Sequence, residues 1–196
     1  MKSYTNISRR LGSYSNKTLW PLAGAASGAA SVGTIFLIDK IVEVEVHLLP
    51  GFIYGIVISI IFYFSIKRCW WRAGCLINIS GLAHYIAVRT AVAIAENFHY
   101  NGKGFAPILI LAGFVAGAIG AATFACAIII LYPQTAWRKL FNKTVYVGAL
   151  FGTLLFFVFG VGEKSNFFIG YSLLYVPWQA AVAYCLSLFY APVQEN

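Results

Sequence analysis

AGCLINISGLAHYIAVRTAVAIAEN, residues 73–97, is apolar enough to lie in a bilayer, yet it carries Asn78, Ser80, His84, Tyr85, Arg89 and Thr90 before it reaches Glu96. Asn78, Tyr85, Arg89 and Glu96 are 7, 4 and 7 residues apart. At roughly 100° per residue these spacings place all four within about 20° of one line along an α-helix. The stretch therefore reads as a transmembrane helix with a single polar stripe. A charged side chain inside a bilayer is costly and normally faces protein or a water-filled cavity, so the stripe is expected either to line a path or to let Arg89 snorkel outward to Glu96 on the same face. His84, near the middle of the same helix, sits about 120° from the stripe, where a hydrogen-bonded packing role or a proton relay fits.

The rest of the chain supports a membrane class. Of 196 residues, 60% are hydrophobic and 10% charged, and the mean hydropathy is +0.78, far from the roughly 25% charged residues of a soluble domain. The formal net charge of +8 sits in short connectors between apolar runs. It reads as a set of topology determinants, not as a nucleic-acid surface.

Residues 1–19 are polar, with Lys2, Arg9, Arg10 and Lys17 and no acid, and read as a cytosolic lead. Residues 20–191 form one transmembrane domain. Its first span runs from Trp20 to Ile38, with Trp20 placed for the headgroup region, and it is read as a retained segment because its small residues precede its greasiest part. Gly51 to Ile66 is a second, short span; residues 73–97 are the third; Phe105 to Tyr132, Val145 to Val161 and Phe167 to Ala191 follow. Residues 192–196 make a cytosolic tail. The predicted fold is thus an all-α integral membrane bundle of about six transmembrane helices with both termini cytosolic.

Charge placement agrees with this order. Lys2, Arg9, Arg10, Lys17, Lys67, Arg68, Arg72, Arg138, Lys139 and Lys143 fall inside, against Lys40, Lys103 and Lys164 outside. Ten to three is a positive-inside pattern; a plasma membrane of bacterial inner-membrane type is the expected location.

Small residues recur four apart: Gly24 and Gly28, Gly113 and Gly117, Gly148 and Gly152. That spacing lets helix backbones approach one another. It serves packing within the chain or contact with another, whether a partner protein or a second copy in a homo-oligomer. Pro177 predicts a kink in the last span, and its neighbour Gln179 puts an amide within the membrane, a wall suited to face the polar stripe.

Catalytic chemistry finds few groups. Asp39 is the lone aspartate, HExxH is absent, and Ser27 with His84 is the pair that leaves an intramembrane hydrolase as the one enzymatic exception. Of the three histidines, His47 and His99 fall in outer segments, so bis-histidine haem within the chain is not expected. Residues 42–48 alternate like a strand, with Glu43, Glu45 and His47 on one face. Side chains two apart stand roughly 6.5 to 7 Å from each other, too wide for one ion. No metal, cofactor or catalytic residue is therefore expected. No cysteine faces an oxidising compartment and no CxxC occurs, so disulfide chemistry is not expected either.

Two functions follow as expectations. The first is a channel or carrier for a small solute or ion, its path lined by Asn78, Tyr85, Arg89 and Gln179, with Glu96 as outer charge partner. The second is a non-enzymatic membrane partner, a sensor, an immunity or defence component or a complex subunit, docking through the connectors CWWR and AWRKLFNK.

Overall fold

A computed structural model describes residues 2–39, 48–66, 68–99, 105–133, 135–162 and 167–190, and these are all-helical. The helices are α1 (Lys2–Asp39), α2 (Leu49–Ser65), α3 (Trp70–His99), α4 (Phe105–Leu131), α5 (Trp137–Gly152), α6 (Leu155–Gly162) and α7 (Phe167–Ser187). Among the described residues, four stretches are long and apolar enough to cross a membrane: Thr18–Ile38, Trp70–Asn97, Pro107–Leu131 and Trp137–Val158. The segment carrying Glu43, Glu45 and His47, the outer loops, and the tail lie outside the described residues.

Several boundaries differ from the sequence reading, for local reasons. Helix α1 continues back through the polar lead to Lys2. Both basic connectors are partly helical: α3 starts at Trp70 and α5 at Trp137. Their Lys, Arg, Trp and Leu residues are adequate helix formers, and nothing between them and the next span breaks the ladder. The fifth span, by contrast, is two helices. At Thr153 and Leu154 the backbone tightens to i→i−3 bonds, Thr153 N–H to Leu150 O (3.3 Å) and Leu154 N–H to Phe151 O (3.1 Å), while the Thr153 hydroxyl donates to Leu150 O at 2.6 Å. A threonine hydroxyl that captures a carbonyl next to a glycine is a recognised way to interrupt a helix. Helix α7 runs uninterrupted through Pro177.

The helices close a ring. Helix α1 packs on α2 and α7, α2 on α3, α3 on α4, α4 on α5 and α6, and both α5 and α6 on α7. Lipid tails are as apolar as leucine, so close van der Waals packing and buried polar bonds must hold such a ring together. Glycine supplies the packing. A methyl group at Gly24 would stand 2.5 Å from the Gln179 carbonyl oxygen, and one at Gly28 would stand 2.7 Å from Tyr175 O. Gly113 and Gly117 meet the carbonyls of Gly152 and Gly148 across the α4–α5 crossing. All six glycines singled out by their spacing are thus used in contacts inside the chain. Gly51 and Gly55, a further pair four apart, seat α2 against His84, Ser80 and Ile77 of α3.

One half of the ring is filled. Trp20, fully buried, meets Phe62 edge-on at 5.3 Å and stacks on Tyr190 at 6.5 Å. Phe62 also touches Tyr132 at 4.5 Å, and higher up Tyr54 lies against Phe124 (5.3 Å) and Trp178 (6.1 Å). Trp20, expected at the headgroup region, is turned inward against other helices and not outward. Ring closure brings it against α2 and the end of α7, where a buried indole contributes more packing area than any other side chain. Large apolar side chains such as Leu22, Leu37, Phe64 and Ile130 point outward, which suits a surface solvated by lipid.

Candidate functional site

The other half of the ring is hollow. A cavity of about 530 Å³ lies between α3, α4, α6 and α7. Its α3 wall is His84, Ala87, Val88, Ala91, Val92, Ala95 and Glu96, positions that recur every three or four residues and so form one continuous face. From His84 to Glu96 this face rises about 18 Å at 1.5 Å per residue. Leu109, Gly113, Ala116 and Gly117 of α4, Gly152 at the end of α5, Leu155 and Val158 of α6, and Tyr171, Leu174, Tyr175 and Trp178 of α7 complete the lining.

The glycines explain why there is room. Each lining position on α4 and α5 that would carry a side chain toward the middle is Gly or Ala, apart from Leu109, while the helices themselves are held by backbone contact. The helix break places Leu155 and Val158 on a new line, so α6 reaches α7 while α5 stays flush with α4. Packing α4 and α5 this tightly and opening the gap above them is one structural solution, because a straight fifth helix would keep following α4.

The floor is polar and aromatic. The Tyr175 hydroxyl and His84 Nε2 are 3.2 Å apart, with the two rings 5.4 Å apart. Trp178 donates Nε1–H to the Gly148 carbonyl at 3.3 Å and rests on Tyr54 below. Tyr171 stacks on Tyr175, one turn earlier, at 5.9 Å and 5° from parallel. On α7 these rings follow i, i+4, i+7 spacing and present one aromatic stripe to the cavity. At the opposite end the lining includes exposed Glu96, so the cavity reaches the surface there. The remaining contacts are apolar, the composition typical of a small-molecule pocket of this size.

The residues expected from sequence to line a path are divided by the fold. Glu96 lines the cavity mouth. Asn78 is exposed and donates its amide to Gly74 O at 2.8 Å on its own helix. Tyr85 and exposed Arg89 belong to a shallow groove on α3 with Ile86, Thr90, Ala93, Ile94 and Asn97. Gln179 is buried at the α1–α7 crossing, not in the cavity: its Oε1 lies 2.5 Å from the Ser27 hydroxyl and its Nε2 donates to Ser31 Oγ at 3.3 Å. Ser31 reaches Pro50 O at 3.5 Å and so ties α2 to the same group. This amide fastens three helices where a buried polar group must find partners. His84 is the stripe's off-line histidine, and it proves to mark the face that turns inward.

Tyr171 and Tyr175 were not singled out by the sequence reading. Their i, i+4 spacing, continued by Trp178 at i+7, was a visible signal, as was the run Ala87, Ala91, Ala95, whose small side chains share the cavity face of α3.

Fold and site together define a helical membrane-embedded protein with a cavity inside its helix ring. No family model, curated protein or solved structure matches the chain.

Proposed function

We propose that the chain is a carrier for a small organic solute, with the cavity as its binding site. The observation that supports a carrier over an open channel is the asymmetry of the ring: hollow from His84 to Glu96, and filled below by Trp178, Tyr54, Phe62 and Trp20. A path open at one end and plugged by packed rings at the other suits alternating access. The full reading is six spans, both termini in the cytosol, and a plasma membrane of bacterial inner-membrane type. It draws on the ten-to-three distribution of basic residues and places the cavity mouth on the outer side.

Reconstituted into liposomes, the protein is expected to give saturable counterflow of selected members of a panel of labelled amines, amino acids and nucleosides. It is expected to pass no steady current at fixed voltage. A steady, non-saturating conductance would replace the carrier with a channel.

A second reading, a subunit that docks a partner protein or another copy of the chain, is favoured by one observation. Trp70 and Trp71 are 77% and 61% exposed at the start of α3, and Arg138 lies over the half-exposed Trp137 at 5.2 Å. The three indoles also suit interfacial anchoring. On the carrier reading, Trp70→Ala, Trp71→Ala and Trp137→Ala together leave the mass purified in mild detergent unchanged. Loss of a stoichiometric companion in the triple variant would favour the subunit.

A further inference from the structure

We infer that the cavity takes an amphiphilic organic cation, with an apolar or aromatic body and one ammonium group. The inference rests on the reading of the cavity as a solute site. Three features point the same way. Among the described lining residues Glu96 is the one acid, and neither Lys nor Arg joins it; Arg89 lies in the separate groove on α3. An anion would therefore meet a carboxylate at the entrance and no compensating charge among the described residues of the walls.

The aromatic stripe has the matching sign. Tyr171, Tyr175 and Trp178 line one wall, and the electron-rich faces of such rings attract cations by about 0.5 to 2 kcal/mol. A carboxylate at the mouth draws the same charge inward. Beneath the mouth, the alanine and valine face of α3 and Leu109 of α4 offer a surface for an apolar body. The His84–Tyr175 pair adds one hydrogen-bonding position at the floor. A neutral hydrocarbon would use the walls but leave the acid and the ring faces without a role.

Benzyltrimethylammonium and its uncharged isostere neopentylbenzene separate charge from shape. Titrated calorimetrically into the full chain in nanodiscs of zwitterionic lipid, with empty nanodiscs subtracted, the cation is expected to bind about tenfold more tightly than the isostere. Glu96→Gln should remove most of that preference and Glu96→Asp should restore it. Glu96 is exposed, so neither change disturbs the packed core. Tyr171→Leu should weaken the cation severalfold more than the isostere. Equal affinity for the two probes, or a preference that survives Glu96→Gln and Tyr171→Leu together, would overturn the assignment. Failure of the carrier reading looks different: the cation binds with the expected variant pattern but shows no counterflow in liposomes, and the ligand class stands.

Discussion

Replacing Gly117 with leucine is expected to leave the chain unable to assemble: the variant should aggregate on extraction and lose its sharp thermal transition. The side chain would be driven into the Gly148 carbonyl and the Gly152 backbone, where a methyl group alone stands 2.9 Å from Gly152 Cα. Overpacking a well-packed site costs about 1 to 3 kcal/mol when neighbouring side chains give way. Here the neighbour is backbone on both sides, so the two helices must separate. Separation also removes Gly113 from Gly152 and exposes polar backbone to lipid. The matched control is Gly74→Leu, since nothing lies within 4 Å of a Cβ placed there. Thermal unfolding monitored by tryptophan fluorescence, with size-exclusion profiles, compares the two. A monodisperse Gly117→Leu protein with an unchanged transition would show that the α4–α5 crossing does not hold the ring.

Filling the cavity should abolish transport without unfolding the protein. Ala91 lies midway along the α3 wall and is nearly buried at 8% exposure, so Ala91→Trp places an indole in the middle of the 530 Å³ space. Existing space accepts the ring with little strain, unlike the leucine at Gly117. Counterflow should fall to background while the elution profile and thermal transition stay within experimental error. Ala93→Trp is the internal control. It sits about 200° around the helix from Ala91, in the exposed groove with Arg89, and should retain transport. The opposite result, transport lost in Ala93→Trp and in Arg89→Ala but kept in Ala91→Trp, would return the path to the polar stripe of α3. The pair thus decides between two faces of one helix.

The two faces also show where sequence reasoning reached its limit. Asn78, Tyr85, Arg89 and Glu96 do share a line, as their spacing requires. Periodicity says which side chains keep company on a helix; it does not say which way that company faces. A long arginine about two turns short of the end of its span can snorkel toward the interface from an outer face, so its charge does not by itself fix the inward side. The small side chains at Ala87, Ala91 and Ala95 were the better pointer, because small residues mark the face a membrane helix turns toward other helices.

Gln179 makes the same point for polar groups. Its presence in an apolar span announced a partner, and sequence alone left that partner open between a solute path and another helix. Only the crossing of α1 over α7, fixed by Gly24 and Gly28, brings Ser27 and Ser31 within its reach.

Composition and the length of the apolar runs were enough to establish a helical membrane protein, because the bilayer requires every spanning backbone group to be bonded within its own segment. The charges of the connectors supplied an expected topology for a different reason: insertion responds to the local placement of basic residues. The glycine pairs marked where helices would touch. The tertiary structure decided which helices they joined, that the fifth span breaks after Gly152, and that the ring closes full at one end and hollow at the other. Those outcomes depend on contacts between residues far apart in the chain, such as Gly28 with Tyr175, Gly113 with Gly152 and His84 with Tyr175. No local pattern encodes a distance between two helices; mutual packing sets it.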